Sequence, residues 1–243
     1  MKSFPEEETV FVVNPASANG STGRRWPQIA QAAAAAGLTG QTLLSERPGH
    51  VAELTRRAAE DGAALVVVVG GDGTVNEAVN GLMRVSPERR PELAVLPRGT
   101  GTDFVRTFRI PTAPRRAIEV ARSGRTVTID VGRVGFTRWD GTKGESWFAN
   151  VASAGMSGAV AKRADSSSKA LGGKASFLWA TLAVFARWRN TEVMVDADGE
   201  RRQGRMLDVI VAGEFARISD EEMRKAVDGM TELALVAVTS RKH

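Results

Sequence analysis

The chain has 243 residues, 42% of them apolar and 25% charged, a composition that excludes fibrous and disordered classes and leaves room for two small domains. Cysteine is absent and histidine occurs only at His50 and His243, so disulfide frameworks, thiolate metal sites, cysteine nucleophiles and multi-histidine metal sites are excluded. A formal charge of +5, from 33 basic and 28 acidic residues, gives a mild bias toward anionic ligands or surfaces. The start, up to Thr9, carries three consecutive glutamates where a secretory signal needs a basic and then an apolar region, so a cytoplasmic location is expected.

From Val10 to about Ile129, short β-branched runs alternate with amphipathic stretches, the pattern of βα units on a mainly parallel sheet. Val10 to Val13 predicts the first strand. Helices are predicted over Ser21 to Ala36 and Gly49 to Asp61, ended by Gly37 and Gly62. Leu65 to Val69 lacks polar alternation and belongs at the sheet centre. Leu93 to Leu96 predicts another strand, Asp103 to Phe108 a short helix, and Pro114 opens a helix that ends at Gly124. After Thr126, the runs TVTIDVGRV, SWFANVAS, TEVMVDA and RMLDVIVAG predict antiparallel strands. One long helix is expected from about Lys169 to Arg189, with Trp179, Phe185 and Trp188 as a core-facing stripe. The apolar stretch Ala175 to Ala186, at twelve residues, is too short to span a bilayer. The fold class is thus α/β: a parallel-sheet domain over residues 1–125 and a β-rich domain over 126–243.

The strongest local signal is Gly70-Gly71-Asp72-Gly73-Thr74-Val75-Asn76-Glu77, placed between the buried run and a helix expected to begin near Thr74. Three glycines permit a sharp turn and close approach of a ligand, and a helix start offers free N–H groups to phosphate. The spacing is neither GxGxxG nor GxxxxGK[ST]. An ordinary tight turn competes with this reading, but Asp72 is a poor choice for a purely structural position there. Beside bound phosphates, a carboxylate holds Mg²⁺ or takes the proton of an attacking hydroxyl. A second loop, Leu96-Pro97-Arg98-Gly99-Thr100-Gly101-Thr102-Asp103-Phe104, also follows a strand, and in an open parallel sheet two such loops face one crevice. A third element, Asn14-Pro15-Ala16-Ser17, lies on the same sheet edge; it either contacts a ligand or forms an Asx-type turn.

Asn14 to Ser17, Gly70 to Glu77 and Pro97 to Phe104 stand in the order and spacing that resemble the diacylglycerol kinase catalytic domain family, which includes bacterial lipid kinases and sphingosine and ceramide kinases. The similarity extends through Ser45 to His50 and through Phe148-Ala149-Asn150 with Gly155. It implies a Rossmann-like nucleotide-binding domain followed by a β-sandwich-like domain, with ATP as phosphoryl donor, Mg²⁺ as cofactor and a lipid hydroxyl as acceptor. Under that resemblance the nucleotide contacts are Asn14, Ser17, Ser45, Gly70, Gly71, Asp72, Gly73, Thr74, Val75, Asn76, Glu77, Gly99, Thr100 and Asp103. Asp72 is the catalytic and metal-binding carboxylate. The partners implied are a diacylglycerol or sphingoid-like lipid, peripheral contact with the inner membrane surface and a homodimer, with no nucleic acid. The middle arginines, Arg106, Arg109, Arg115, Arg116, Arg122 and Arg125, suit anionic headgroups or simply solvated helix faces.

The C-terminal end departs from the family pattern. Val211-Ala212-Gly213-Glu214-Phe215-Ala216 lacks the family's glycine triplet and proline. Asp228-Gly229 remains recognisable, but no positional counterpart exists for a late Asp-Gly-Glu motif. Asp198-Gly199-Glu200 matches that triplet, yet its place before a strand reads as a hairpin turn. An amphipathic helix is expected over Ile218 to Val227, capped by Ser219 and covering the strand Thr231 to Thr239. With this shortened end, near-normal ATP affinity and slow or absent lipid phosphorylation are expected. Two rival classes stay open: an NAD-kinase-like soluble-metabolite kinase, which shares GGDGT and the Asn76-Glu77-Asn80 spacing, and a nucleotide- or lipid-binding homologue without catalysis.

Overall fold

A run of four valines after Leu65 forms the most buried strand of the chain: Val66, Val67, Val68 and Val69 each have no exposed surface. In the computed structural model, which describes residues 8–99, 103–138, 140–166, 173–197 and 200–212, this strand is β3 (Leu65–Gly70). It sits inside a four-stranded parallel sheet with β1 (Thr9–Val13), β2 (Gln41–Leu44) and β4 (Glu92–Pro97), in the order β2-β1-β3-β4. Burial on both faces explains why β1 and β3 read as unbroken apolar runs. The edge strand β2 is largely exposed and polar at its start, so it carries no such signal and was not expected.

Helices cover both faces of the sheet. On one face, α1 (Ser21–Ala35) and α5 (Pro114–Ser123) pack Trp26, Ile29, Ala33, Ala117, Ile118 and Ala121 against Phe11, Val13, Val67, Val69 and Leu96. On the other, α2 (His50–Glu60) and α3 (Asp72–Leu82) bury Val51, Ala58 and Ala78 against Val10, Val12, Val66 and Val68. The left-handed Gly37 and Gly62, φ 78° and 92°, follow α1 and α2 as expected. Close crossing of α2 and α3 requires Gly81, where an added Cβ would stand 2.2 Å from Thr55 Oγ1 and 2.3 Å from the Ala52 carbonyl oxygen. The short α4 (Asp103–Thr107) buries Phe104 and Val105 with Val75, Val79 and Val95.

The chain divides into two units, Met1–Ala149 and Asn150–His243. The first includes an antiparallel hairpin, β5 (Gly132–Thr137) with β6 (Lys143–Phe148). This hairpin is tied to α3 chiefly by Asn80, with Asn76 Nδ2 also reaching the Trp147 carbonyl at 3.4 Å. Asn80 donates from Nδ2 to the Trp147 carbonyl at 2.9 Å, and its Oδ1 accepts from the Trp147 N–H at 2.9 Å and from Ser146 Oγ at 2.8 Å. The expected strand from Thr126 is therefore corrected: residues 126–131 are irregular and pairing begins at Gly132. The run SWFANVAS likewise breaks at Ala149 and Asn150 into two strands that find different partners.

In the second unit, β7 (Val151–Gly155) pairs antiparallel with β10 (Asp208–Ala212), and β8 (Thr191–Ala197) with β9 (Glu200–Met206). Ala197 opposes Glu200 in the ladder, so the two strands that flank Asp198 and Gly199 are antiparallel neighbours, as a hairpin requires; those two residues lie outside the described ones. The helix expected from about Lys169 to Arg189 is present as α7 (Gly173–Phe185), shorter at its C-terminal end, and it is preceded by an unexpected helix, α6 (Met156–Ser166). The expected core-facing stripe is also corrected. Trp179 and Phe185 are 64% and 62% exposed, with Leu178 and Leu182 beside them, and among the α7 side chains described, from Leu178 onward, Ala180 is the buried one. Apolar side chains stand on every side of α7, so periodicity offers no way to choose the buried one. Among the described residues, no helix is long and apolar enough to cross a membrane. The segments Ile218 to Val227 and Thr231 to Thr239 lie outside the described residues.

Candidate functional site

The C-terminal edge of the parallel sheet gathers the loops singled out by sequence. Three strands extend their hydrogen-bond ladders one residue into these loops. Ser45 donates its N–H to the Val13 carbonyl at 2.9 Å, Asn14 to Val69 at 3.0 Å and Arg98 to Gly70 at 2.7 Å. The loop starts are thereby as fixed as the strands. Since α1 leaves β1 toward one face and α3 leaves β3 toward the other, a crevice opens between these strand ends, the place where ligands bind in open α/β sheets.

Helix α3 begins at Asp72, two residues earlier than expected, with extended Gly71 as its N-cap. Gly73 and Thr74 therefore belong to the first turn, where N–H groups have no acceptor within the helix. An added Cβ on Gly73 would meet no atom within 4 Å, so the turn presents bare backbone to open space, as a phosphate cradle must. Gly70 has a different reason: a Cβ there would lie 2.3 Å from Thr74 Oγ1. Thr74 is buried and accepts from Asn14 Nδ2 at 3.1 Å, which links the loop after β1 to the glycine-rich loop after β3.

Asn14 also makes the Asx turn, its Oδ1 accepting from the Ala16 N–H at 3.1 Å. Ser17 Oγ donates to the Asn14 carbonyl at 2.9 Å and lies 2.6 Å from Thr22 Oγ1. The chain then passes through Ala18, Asn19 and Gly20 in left-handed conformation, φ 50°, 55° and 76°. That geometry disfavours Ala18 by about 1 kcal/mol and is tolerated by asparagine and glycine.

Asp72 bridges to the second loop, which follows β4. Its Oδ2 accepts the Asp103 N–H at 3.1 Å and its Oδ1 the Phe104 N–H at 3.2 Å. The position thus has a structural role, since the carboxylate accepts from two N–H groups of the first turn of α4. Each oxygen keeps lone pairs free. Among the described residues, no group of three His, Asp or Glu side chains clusters as a ready metal site, but Mg²⁺ is commonly held by one or two carboxylates together with substrate phosphates. Asp72 fits that requirement as a single carboxylate; the Asp103 carboxylate lies 3.7 Å from Arg106 Nη1.

Other nominated residues point elsewhere. Val75 is buried in the core with Phe104. Glu77 Oε2 accepts the Val51 N–H at 3.2 Å, capping α2. Asn76 reaches Asn80 and the Trp147 carbonyl. Ser45 is buried at the strand end; after it, Arg47 pairs with Glu53 at 2.7 Å and His50 Nδ1 accepts the Glu46 N–H at 3.1 Å. The Arg47 hydrogen bond holds the Glu53 carboxyl below the usual carboxylate range. Gly99 follows Arg98 in the second loop, and Thr100 lies outside the described residues. One residue of this edge, Arg98, was not among the nominated contacts.

Fold and site together define a doubly wound α/β domain with a glycine-rich helix start at its switch point. The Diacylglycerol kinase catalytic domain family matches residues 8–134, and the chain belongs to that family. It is 27% identical to a diacylglycerol kinase of Staphylococcus carnosus over 81% of this chain and 61% of the relative. It is 34% identical to a Chromohalobacter salexigens protein named "Probable lipid kinase YegS-like" over 77% of this chain and 58% of the relative. The crystal structure of a diacylglycerol kinase from Bacillus anthracis superposes with a TM-score of 0.61 at 26% identity, covering 86% of this chain and 64% of that one. The chain thus spans about three-fifths of the length of these curated relatives.

Proposed function

We propose that the chain transfers the γ-phosphate of ATP to a hydroxyl of a lipid such as diacylglycerol. The observation that carries this reading is the open first turn of α3, with Gly73 unobstructed and the Asp72 carboxylate at its mouth. Free N–H groups of that turn hold phosphate oxygens, and positioning with charge neutralisation supplies most of the catalysis. The acceptor oxygen bonds to the γ-phosphorus as the bond to the ADP oxygen breaks, and its proton passes to Asp72. Asp72 would hold Mg²⁺, which would neutralise phosphate charge. The lipid acceptor is supported by family membership and by the names of the relatives.

The test offers radiolabelled ATP and Mg²⁺ to the 243-residue chain with diacylglycerol vesicles, sphingosine or NAD in parallel. Label in the diacylglycerol product supports the proposal. Label in NADP alone assigns the soluble-metabolite reading, and ATP binding without label in any acceptor assigns the non-catalytic one.

A further inference from the structure

Arg98 carries a charge that no ion pair balances among the described residues. It follows β4, and its side chain turns toward α1, where Nη2 donates to Ser21 Oγ at 3.1 Å. Ser21 is the first residue of α1, so the guanidinium reaches from the end of β4 to the helix that leaves β1, past the end of β3 that separates them in the sheet. Its Nε is buried and has no hydrogen-bond partner among the described residues. A buried donor without an acceptor is costly.

The electrostatic setting adds to that cost. A helix N-terminus is the positive end of the helix dipole and favours anions. The first turn of α1 contains no acidic residue, and Arg24 and Arg25 follow on its exposed side. Among the described residues, no carboxylate lies within ion-pair distance of Arg98. A cation at the positive end of a helix, with one donor buried and idle, is an arrangement that an anion completes.

We infer that Arg98 clamps the phosphate chain of the donor nucleotide, its guanidinium binding phosphate oxygens from the α1 side while the first turn of α3 binds them from the other. The inference rests on the nucleotide reading above and names a contact within it. A planar guanidinium suits two oxygens of one phosphate group.

Binding of MgATP and of inorganic tripolyphosphate to the full chain is measured by calorimetry for the wild type, Arg98→Ala, Arg98→Lys and Ser21→Ala. Arg98→Ala is expected to weaken both ligands about 10- to 100-fold, as loss of a charged hydrogen bond does. Arg98→Lys recovers part of that loss, and Ser21→Ala, which keeps the charge and removes the helix contact, stays within about threefold. Without ligand, Arg98→Ala melts at or above the wild-type temperature, because the idle cation is gone; a merely structural arginine predicts a fall. Unchanged affinity in Arg98→Ala, or an equal loss in Ser21→Ala, overturns the clamp. If the wild type binds tripolyphosphate through Arg98 but not ATP, the nucleotide reading fails and the clamp stands; if it binds neither, both fail.

Discussion

Asp72 and Asp103, thirty-one positions apart, are joined by a hydrogen bond of 3.1 Å from the Asp103 N–H to Asp72 Oδ2. The carboxylate of the glycine-rich turn thus organises the second loop while facing the space where phosphate is expected. Charge and geometry are separable here. Asp72→Asn keeps one oxygen acceptor for the α4 amides and loses the negative charge. Turnover of this variant is expected to fall at least ~100-fold, the lower bound for loss of a positioned base, with stability reduced by about 1 kcal/mol. Kinetics and urea unfolding on the same sample check both halves, and normal turnover in Asp72→Asn would remove Asp72 from catalysis.

Two glycines on α3 should respond in opposite directions. Gly81→Ala drives a Cβ into Thr55 and the Ala52 carbonyl and is expected to cost about 2 kcal/mol or more of stability. Gly73→Ala meets no atom, gains helix propensity and should raise stability by up to about 1 kcal/mol. Its methyl group occupies the phosphate cradle, so ATP affinity should fall about tenfold or more, the effect of one lost charged hydrogen bond. A thermal melt paired with an ATP titration reads both signs.

Asn80 holds the β5–β6 hairpin by a two-way bond to the Trp147 backbone. Asn80→Ala leaves these groups without their partner, and a loss of about 2 kcal/mol is expected. Limited proteolysis should then cut within residues 132–148 before any other part of the first unit. Wild-type resistance in the variant would show that the apolar contacts of Trp147 suffice.

The exposed pair Arg47 and Glu53 offers a pH test. Hydrogen bonding by Arg47 lowers the Glu53 pKa, so the pair contributes above the unfolded carboxylate value and that contribution disappears as pH falls through the folded value. In a carbon-detected NMR titration, the Glu53 midpoint should lie below that of the free side chain and rise on Arg47→Gln. A midpoint unmoved by Arg47→Gln would assign the shift to another cause.

Strands β1 and β3 were legible because both faces are buried and every position can be apolar; β2 was not, because one edge strand with polar exposed residues looks like loop. The three loops were legible as glycine-bearing turns after strands. Their side-chain roles were less so. Local pattern identifies Asp72 as chemically expressive, but its amide partners lie in another loop, and Glu77 looks like part of a motif until α2 is placed against it. Arg98 gave no signal of its own between Pro97 and Gly99, since only the sheet order and the Ser21 contact place it against α1. In the second unit, α6 was missed because its small residues and glycine give weak periodicity, and α7 was assigned a buried face where apolar residues stand all round.

The continuation of three strand ladders into Ser45, Asn14 and Arg98 divides the site by timescale. Amides that complete a buried ladder exchange with solvent only when the sheet itself opens, whereas the N–H groups of the first turn of α3, which have no acceptor in the helix, exchange from the native state. The ligand is therefore met by a floor that keeps time with the core and by donors already stripped of competing partners. Little reorganisation is left for binding to impose.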